Sequence, residues 1–379
     1  NTCDYICFLA AGGRLAYFGP PEDAKQYFGK TDFAEIYGAL EPTKEHPAAP
    51  AQAEAAFLSS EDFRKYVMKP LMDGSAARAT QHLQAVQVKR PTKRGNPLSQ
   101  FRLLSRRYIE LLRNDGGNLR ILLLQAPIIG AILMLILKFV TISGVFSAEN
   151  VSSPLHSADA QKVLFVTAFA AVMFGCINGA REIVKELPIY RRERTVNLGI
   201  LPYLLSKIVV LGSLCLLQSL MLVLMVSLVE QFHQSVFLPA GVEVYITLAL
   251  TSLAGLMVGL LVSALAPNND RAVSMIPLIL IPQVIFAGTI FPLKSGLLQP
   301  VGLLFAVRWA MAALGTTIGL HSAYLGGDQF LGSIDSYQYG HGSDSTRYLL
   351  LLWLGLFAMI VLLACATGYF LKRKDVKVS

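Results

Sequence analysis

The chain has 379 residues, which on a prior of roughly 100–200 residues per domain allows two or three units. Hydrophobic residues make up 54% of it and charged residues 15%, against roughly 25% charged in an average soluble domain, and mean hydropathy is +0.50. A disordered, collagenous or ordinary soluble protein is excluded. Of the 33 Lys and Arg and 25 Asp and Glu that give a net charge of +8, 17 and 13 fall in residues 1–120, so a polar front joins a membrane-like back.

The front reads first as a hairpin, with apolar and small residues alternating from Tyr5 to Phe18 around Gly12 and Gly13. Pro21–Phe28 follows as a short helix, with Pro near its start, Glu22 and Asp23 in its first turn and Gly29 past its end. Gly29, Lys30 and Thr31 look like the end of a phosphate-binding loop, but Ala24 stands where that motif needs Gly, and a helix precedes it instead of a strand. Residues 41–56, rich in Pro, Ala and Glu, read as linker. Ser59 with Asp62 resembles a capping box opening a helix through Met68. A basic linker with Lys89, Arg90, Lys93 and Arg94 completes a linker region over 41–98. In Ser99–Asn114, Phe101, Leu104, Tyr108, Leu111 and Leu112 form one face and Arg102, Arg106, Arg107 and Arg113 the rest. This basic amphipathic helix, within 99–116, suits the inner membrane surface.

Six apolar stretches are long enough to cross a hydrocarbon core of roughly 30 Å. They are 118–139, 163–180, 203–229, 244–266, 272–291 and 348–371. Their interiors hold no Asp or Glu, and Lys138, Lys162 and Lys207 lie near ends where they can snorkel. Arg181, Lys185, Arg191, Arg192 and Arg194 lie between spans two and three, and Lys372, Arg373, Lys374 and Lys377 form the tail, whereas 140–161 has no Lys or Arg before Lys162 and 230–243 has none. The positive-inside rule therefore puts both termini in the cytoplasm. Residues 297–320 would place Arg308 mid-membrane as a seventh span, so they read as a re-entrant or interfacial helix in an outer loop, 292–346, with Gly326, Gly327, Gly332, Gly340 and Gly342 in its irregular part. Gly175 with Gly179 and Gly255 with Gly259 have the spacing that lets helices pack closely.

Chemistry is sparse. Five Cys (3, 7, 176, 215, 365) imply no disulfide framework. The six His (46, 82, 156, 233, 321, 341) show no metal-ligand spacing. No catalytic, cofactor or metal site, and no nucleic-acid partner, is expected in this chain. The most informative segment is Arg181–Asn197, where Glu182, Glu186 and Glu193 alternate with Arg181, Arg191, Arg192 and Arg194. It reads either as a solvated positive-inside loop or as a docking element that transmits a conformational signal.

YRRERTVNLGILPYLLSK at Tyr190–Lys207 resembles the intracellular loop and third-span start of G-type (white-like) ABC transporters of the ABC-2 class. CDYICFLAAGGRLAYFGPPEDAKQYF at Cys3–Phe28 resembles the last strands and helix of their ATP-binding domain, and IFAGTIFPL at Ile285–Leu293, with Arg308 and Trp309 beyond, is similar to their fifth span and re-entrant helix. The resemblance implies a mainly all-α polytopic membrane protein with six transmembrane helices. A truncated C-terminal piece of an α/β ATP-binding domain (1–40), linker (41–98) and connecting helix (99–116) would precede a membrane domain at 117–379. The chain begins with Asn, and the motifs for ATP and Mg would lie upstream of it, so a fragment of a longer protein is expected.

The resemblance also implies a bacterial half-transporter in the plasma membrane. Two copies would pair, work with ATP-binding domains and export a hydrophobic or amphipathic substrate. It makes 181–198 the coupling loop, and it turns Phe169, Ile281, Thr289 and Ile290 toward a substrate cavity near a fifth span bent by Pro277 and Pro282. A secondary carrier and a non-transporting membrane anchor or scaffold remain as alternatives.

Overall fold

The glycine pair closes a tight connection in the computed structural model, which describes residues 3–30, 32–41, 48–72, 96–153, 156–195, 197–290, 293, 298–320 and 343–374. Strands β1 (Ile6–Ala10) and β2 (Arg14–Gly19) pair antiparallel with Ala10 opposite Arg14. Gly12 and Gly13 supply φ values of +84° and +73°, a region open to Gly at little cost. Helix α1 (Pro21–Phe28) ends at Gly29, in the left-handed region at φ 62°. Thus Gly29 closes a helix, while Thr31 lies outside the described residues.

The chain divides into two units, Asn1–Lys93 and Arg94–Ser379. In the first, Phe8, Ala16, Tyr17 and Ala24 form a small core with Ile36 and Leu40 of α2 (Phe33–Leu40) and Phe57 of α3 (Ala49–Ser59). Helix α3 occupies part of the expected linker, because burying Pro50 and Phe57 outweighs the linker-like composition around them. The cap also shifts by one residue. Ser59 bonds back to the carbonyls of Ala55 and Ala56, whereas Ser60 Oγ accepts from the Phe63 amide at 3.1 Å. The rest of the linker, 42–47 and 73–95, lies outside the described residues.

The second unit is helical. Its elements are α4 (Pro97–Asn114), α5 (Gly116–Phe139), α6 (Ser157–Gly179), α7 (Leu187–Arg194), α8 (Ile200–Ser227), α9 (Ala240–Leu265), α10 (Asn269–Ile285), α11 (Ala306–Ile318) and α12 (Ser343–Arg373). Asn96, Asp115 and Asn268 cap α4, α5 and α10 through their side-chain oxygens. Five helices, α5, α6, α8, α9 and α12, are long and apolar enough to cross a membrane.

The sixth expected span differs. Helix α10 has 17 residues, or about 26 Å at 1.5 Å per residue, short of a hydrocarbon core of about 30 Å. Pro277 and Pro282 each remove a backbone donor within it, and Gly288 at φ +81° turns the chain soon after its end. Phe291, the expected end of that span, lies outside the described residues. Helix α11, of 13 residues and about 20 Å, is also too short to cross. It is buried along nearly its whole length, Arg308 included, so its apolar composition reflects packing inside the protein.

Helices α6 and α9 form the centre of the unit, and the glycine spacing explains why. A Cβ on Gly175 would collide with the Ser252 carbonyl oxygen, and one on Gly255 with that of Val172. Only Gly permits this backbone approach. Helix α9 begins earlier than expected and carries Glu243 fully buried in its first turn. Leu104, Tyr108 and Leu112 of α4 pack on Leu187, Tyr190 and Tyr203 instead of facing lipid, and Leu111, one residue off that face, is exposed. The distal outer loop with its five glycines, and Lys377, lie outside the described residues.

Candidate functional site

Helix α4, residues 181–198, the start of α8 and the end of α12 meet at the end that the charge bias assigns to the cytoplasm, the inner end. Apolar packing places them: Tyr190 and Tyr203 lie 4.9 Å apart between ring centroids, within the cluster that buries Leu104, Tyr108 and Leu112. Ser263 of α9 fixes the start of the loop by accepting from the amides of Ile183 and Val184, both at 2.9 Å.

Each acid of the run bonds to a side chain of another helix, Glu182 and Glu193 to α4 and Glu186 to α8. Glu182, 4% exposed, accepts from the Tyr108 hydroxyl of α4 and pairs with Lys185 at 2.5 Å. Burial first, then the Glu182 charge, push the Tyr108 phenol well above its usual value of 10. Glu186 lies 2.7 Å from Lys207 Nζ of α8, an ionic contact outside hydrogen-bond geometry, and accepts from the Tyr203 hydroxyl at 3.5 Å. Glu193 pairs with Arg107 of α4 at 2.5 Å. Lys207 is 1% exposed, and its ammonium sits 3.6 Å from the Tyr108 ring centroid, where the ring's negative face attracts it. The snorkelling expected of Lys207 is therefore replaced by burial among two tyrosines and a carboxylate.

The far end of the run is tied down as well. Arg194 donates to the Leu198 carbonyl at 2.6 Å. Gln100 of α4 donates to the Asn197 carbonyl and accepts from the Gly199 amide. Asn197 takes φ 72° there. Lys374, just past α12, donates to the Ala266 carbonyl at 2.7 Å, and burial, then neighbouring Arg191, hold its ammonium below the usual 10.5. Arg181, Arg191 and Arg192 stay exposed. Arg192 also borders an open groove of about 490 Å³ with Gln100, Leu103, Arg107 and Glu193. Glu182 and Glu186 thus turn inward, and Arg181, Arg191 and Arg192 outward.

The sequence does not single out Gln100, Tyr203 and Ser263, and it presents Tyr108 and Lys207 only as an apolar-face residue and a snorkelling lysine. Only Lys207 carried a signal, since an ionisable residue within an apolar span is a functional candidate by default.

The four residues matched to a substrate cavity are not assembled in the same way. Phe169 packs on the core and stacks on Phe165 at 6.0 Å. Ile281 and Ile290 are 58% and 52% exposed. The Thr289 hydroxyl is buried without a hydrogen-bond partner among the described residues.

Comparison with known proteins bears on this arrangement. The chain is 26% identical over 330 residues to the ABC transporter ATP-binding/permease protein Rv1747 of Mycobacterium tuberculosis, a match covering 84% of this chain. It spans 35% of that relative's length. The family model for ABC-2 type transporters matches residues 99–318, from the clasped helix α4 through α11. Its helices long enough to span a bilayer make it a multi-pass membrane protein, and the chain belongs to the ABC-2 type transporter family.

Proposed function

We propose that the chain is the permease portion of a G-type ABC transporter of bacterial origin. It works in the plasma membrane as a pair of copies with ATP-binding domains, which use ATP and Mg, and exports a hydrophobic or amphipathic substrate. Residues 1–40 are read as the trailing edge of such a domain. The observation that carries the proposal is the clasp: Glu182 and Glu193 hold α4, and Glu186 holds α8. A push on the exposed arginines of 181–198 therefore moves the connecting helix and a span together. A merely solvated loop would transmit nothing.

The packing of the short helices supports the six-span reading. Ala272 of α10 packs with Val184 and Ala266 at the inner end. Ala312 and Ala313 of α11 pack with Val236, Leu349 and Leu352 at the other end. On this reading α10 takes part in a sixth crossing. The exposed Ile281 and Ile290, with Thr289, fit a cavity that is completed by a second copy. A secondary carrier is disfavoured because, among the described residues, no Asp or Glu lies deeper than the first turn of a spanning helix.

Full-length protein in proteoliposomes tests the reading. ATP-dependent accumulation of a lipophilic substrate in inside-out vesicles is expected. Glu193→Lys should abolish transport and substrate-stimulated ATPase together, and Arg107→Glu added to it should restore both. Transport driven by an ion gradient without ATP would establish a carrier. Unchanged transport by Glu193→Lys at equal abundance would reject the coupling role. Ala at Phe169 and Ile281 should shift substrate preference while ATPase persists.

A further inference from the structure

At the outer end, a polar pocket of about 620 Å³ opens between the ends of α5 and α8, lined by Lys138, Ser143, Gly144, Glu230 and His233 over an apolar floor of Leu137, Leu228 and Val229. Glu230 is its fixed element. Only 8% exposed, it accepts the Gly144 amide at 3.1 Å on both oxygens. That amide is held in place in turn: Gly144 sits at φ +74°, and its carbonyl accepts from the Ser147 amide at 2.8 Å and the Asn150 side chain at 2.9 Å. A carboxylate has room for about four donors, so one shared amide leaves Glu230 with acceptor capacity.

Lys138 and His233 line the same space, are exposed, and form no ion pair with Glu230 among the described residues. Opposite charges around one cavity, held apart, match a ligand that carries both signs. The lining contains no Trp, Tyr or Phe, so it lacks the aromatic cage that recognises a quaternary ammonium. A primary ammonium, which donates hydrogen bonds to a carboxylate, fits instead. Phe139, Val140 and Leu228 beside the pocket are 73%, 76% and 76% exposed, an apolar surface at the ends of two spanning helices that can meet acyl chains.

We propose that this pocket binds a phosphoethanolamine headgroup. Its ammonium sits on Glu230, its phosphate meets Lys138 and His233, and its acyl chains run down the exposed apolar edge. The site is separate from the inner-end clasp and does not depend on the direction of transport.

Full-length protein in mild detergent, incubated with an equal mixture of phosphatidylethanolamine, phosphatidylglycerol and phosphatidylcholine, tests this by native mass spectrometry of retained lipid. Wild type should prefer phosphatidylethanolamine by about tenfold over both others, the scale of one charge-assisted hydrogen bond. Glu230→Gln should erase the preference over phosphatidylglycerol. Lys138→Gln, at an exposed position that does not threaten folding, should lower retention of all three lipids, since each carries the phosphate that Lys138 meets. Displacement by soluble O-phosphoethanolamine would identify the headgroup alone as sufficient, and its failure would identify the membrane lipid as the source. Equal retention of the three lipids by wild type, or unchanged phosphatidylethanolamine retention in Lys138→Gln, would overturn the proposal.

Discussion

At the inner end the carboxylates of Glu182, Glu186 and Glu193 meet side chains from other helices. At the outer end Glu243 and Glu230 meet backbone amides. Glu243 accepts from Val236 at 3.1 Å and from Phe237 and Leu238 at 2.8 Å, while both oxygens of Glu230 share the Gly144 amide. Both ends must satisfy polar groups beside apolar spans, and they differ in what breaks when a helix moves. The Glu243 cap holds its own loop in shape, and the Glu230 contact ties a fixed backbone amide of the loop after α5 to the end of α8. A side-chain pair between helices registers any displacement of one against the other, so the inner end is built to transmit and the outer end to stay put.

The largest test of that contrast is Lys207→Met. It leaves Glu186 buried without its cation, a loss of about 3–5 kcal/mol, to be read as a lowered thermal midpoint in detergent. Adding Glu186→Leu should recover much of it. If the single variant melts like wild type, the clasp does not hold the inner end.

Glu243→Gln should cost about 1–3 kcal/mol, because a neutral amide accepts the three backbone donors less well. The contrast predicts that this variant, unlike those at the inner end, keeps ATPase and transport coupled in the full-length protein. Uncoupling by Glu243→Gln would erase the distinction between the ends.

Tyr108→Phe removes one hydrogen bond, about 1 kcal/mol net, and changes a pH profile. With its folded-state value raised above 10, Tyr108 contributes stability that is present below about pH 10 and is lost as pH rises toward the folded value. Thermal midpoints of the Phe variant should therefore fall less steeply than wild type above pH 10. Parallel declines would assign the alkaline loss to other groups.

Arg107→Gln is the smallest expected effect on stability, at most about 1 kcal/mol, since the pair with Glu193 is partly solvated at 38% and 27% side-chain exposure. Its consequence should appear in coupling. Transport falling while the thermal midpoint barely moves would separate a transmitting contact from a stabilising one; a large drop in the midpoint would make the pair structural.

The sequence by itself determined the hairpin around Gly12 and Gly13, the helix closed by Gly29, five of the long apolar helices and the clustering of basic residues in the loop after the second span. These features follow from hydrophobic length, turn chemistry and charge counts, all of which act within a few residues. Tertiary structure decided the rest. Ser60 displaced Ser59 as a cap because Ser59 still ends α3 while Ser60 takes the extended backbone between the two helices. Leu111 left the buried face of α4 because Leu104, Tyr108 and Leu112 met Leu187, Tyr190 and Tyr203. Glu182 and Glu193 found partners 74 and 86 positions away, which the loop's charge pattern did not name. Lys207 found its carboxylate only when residues 181–198 folded back against α8. A charge pattern records which residues can pair, but which carboxylate meets which cation is set by the apolar contacts that bring distant helices to one end of the bundle.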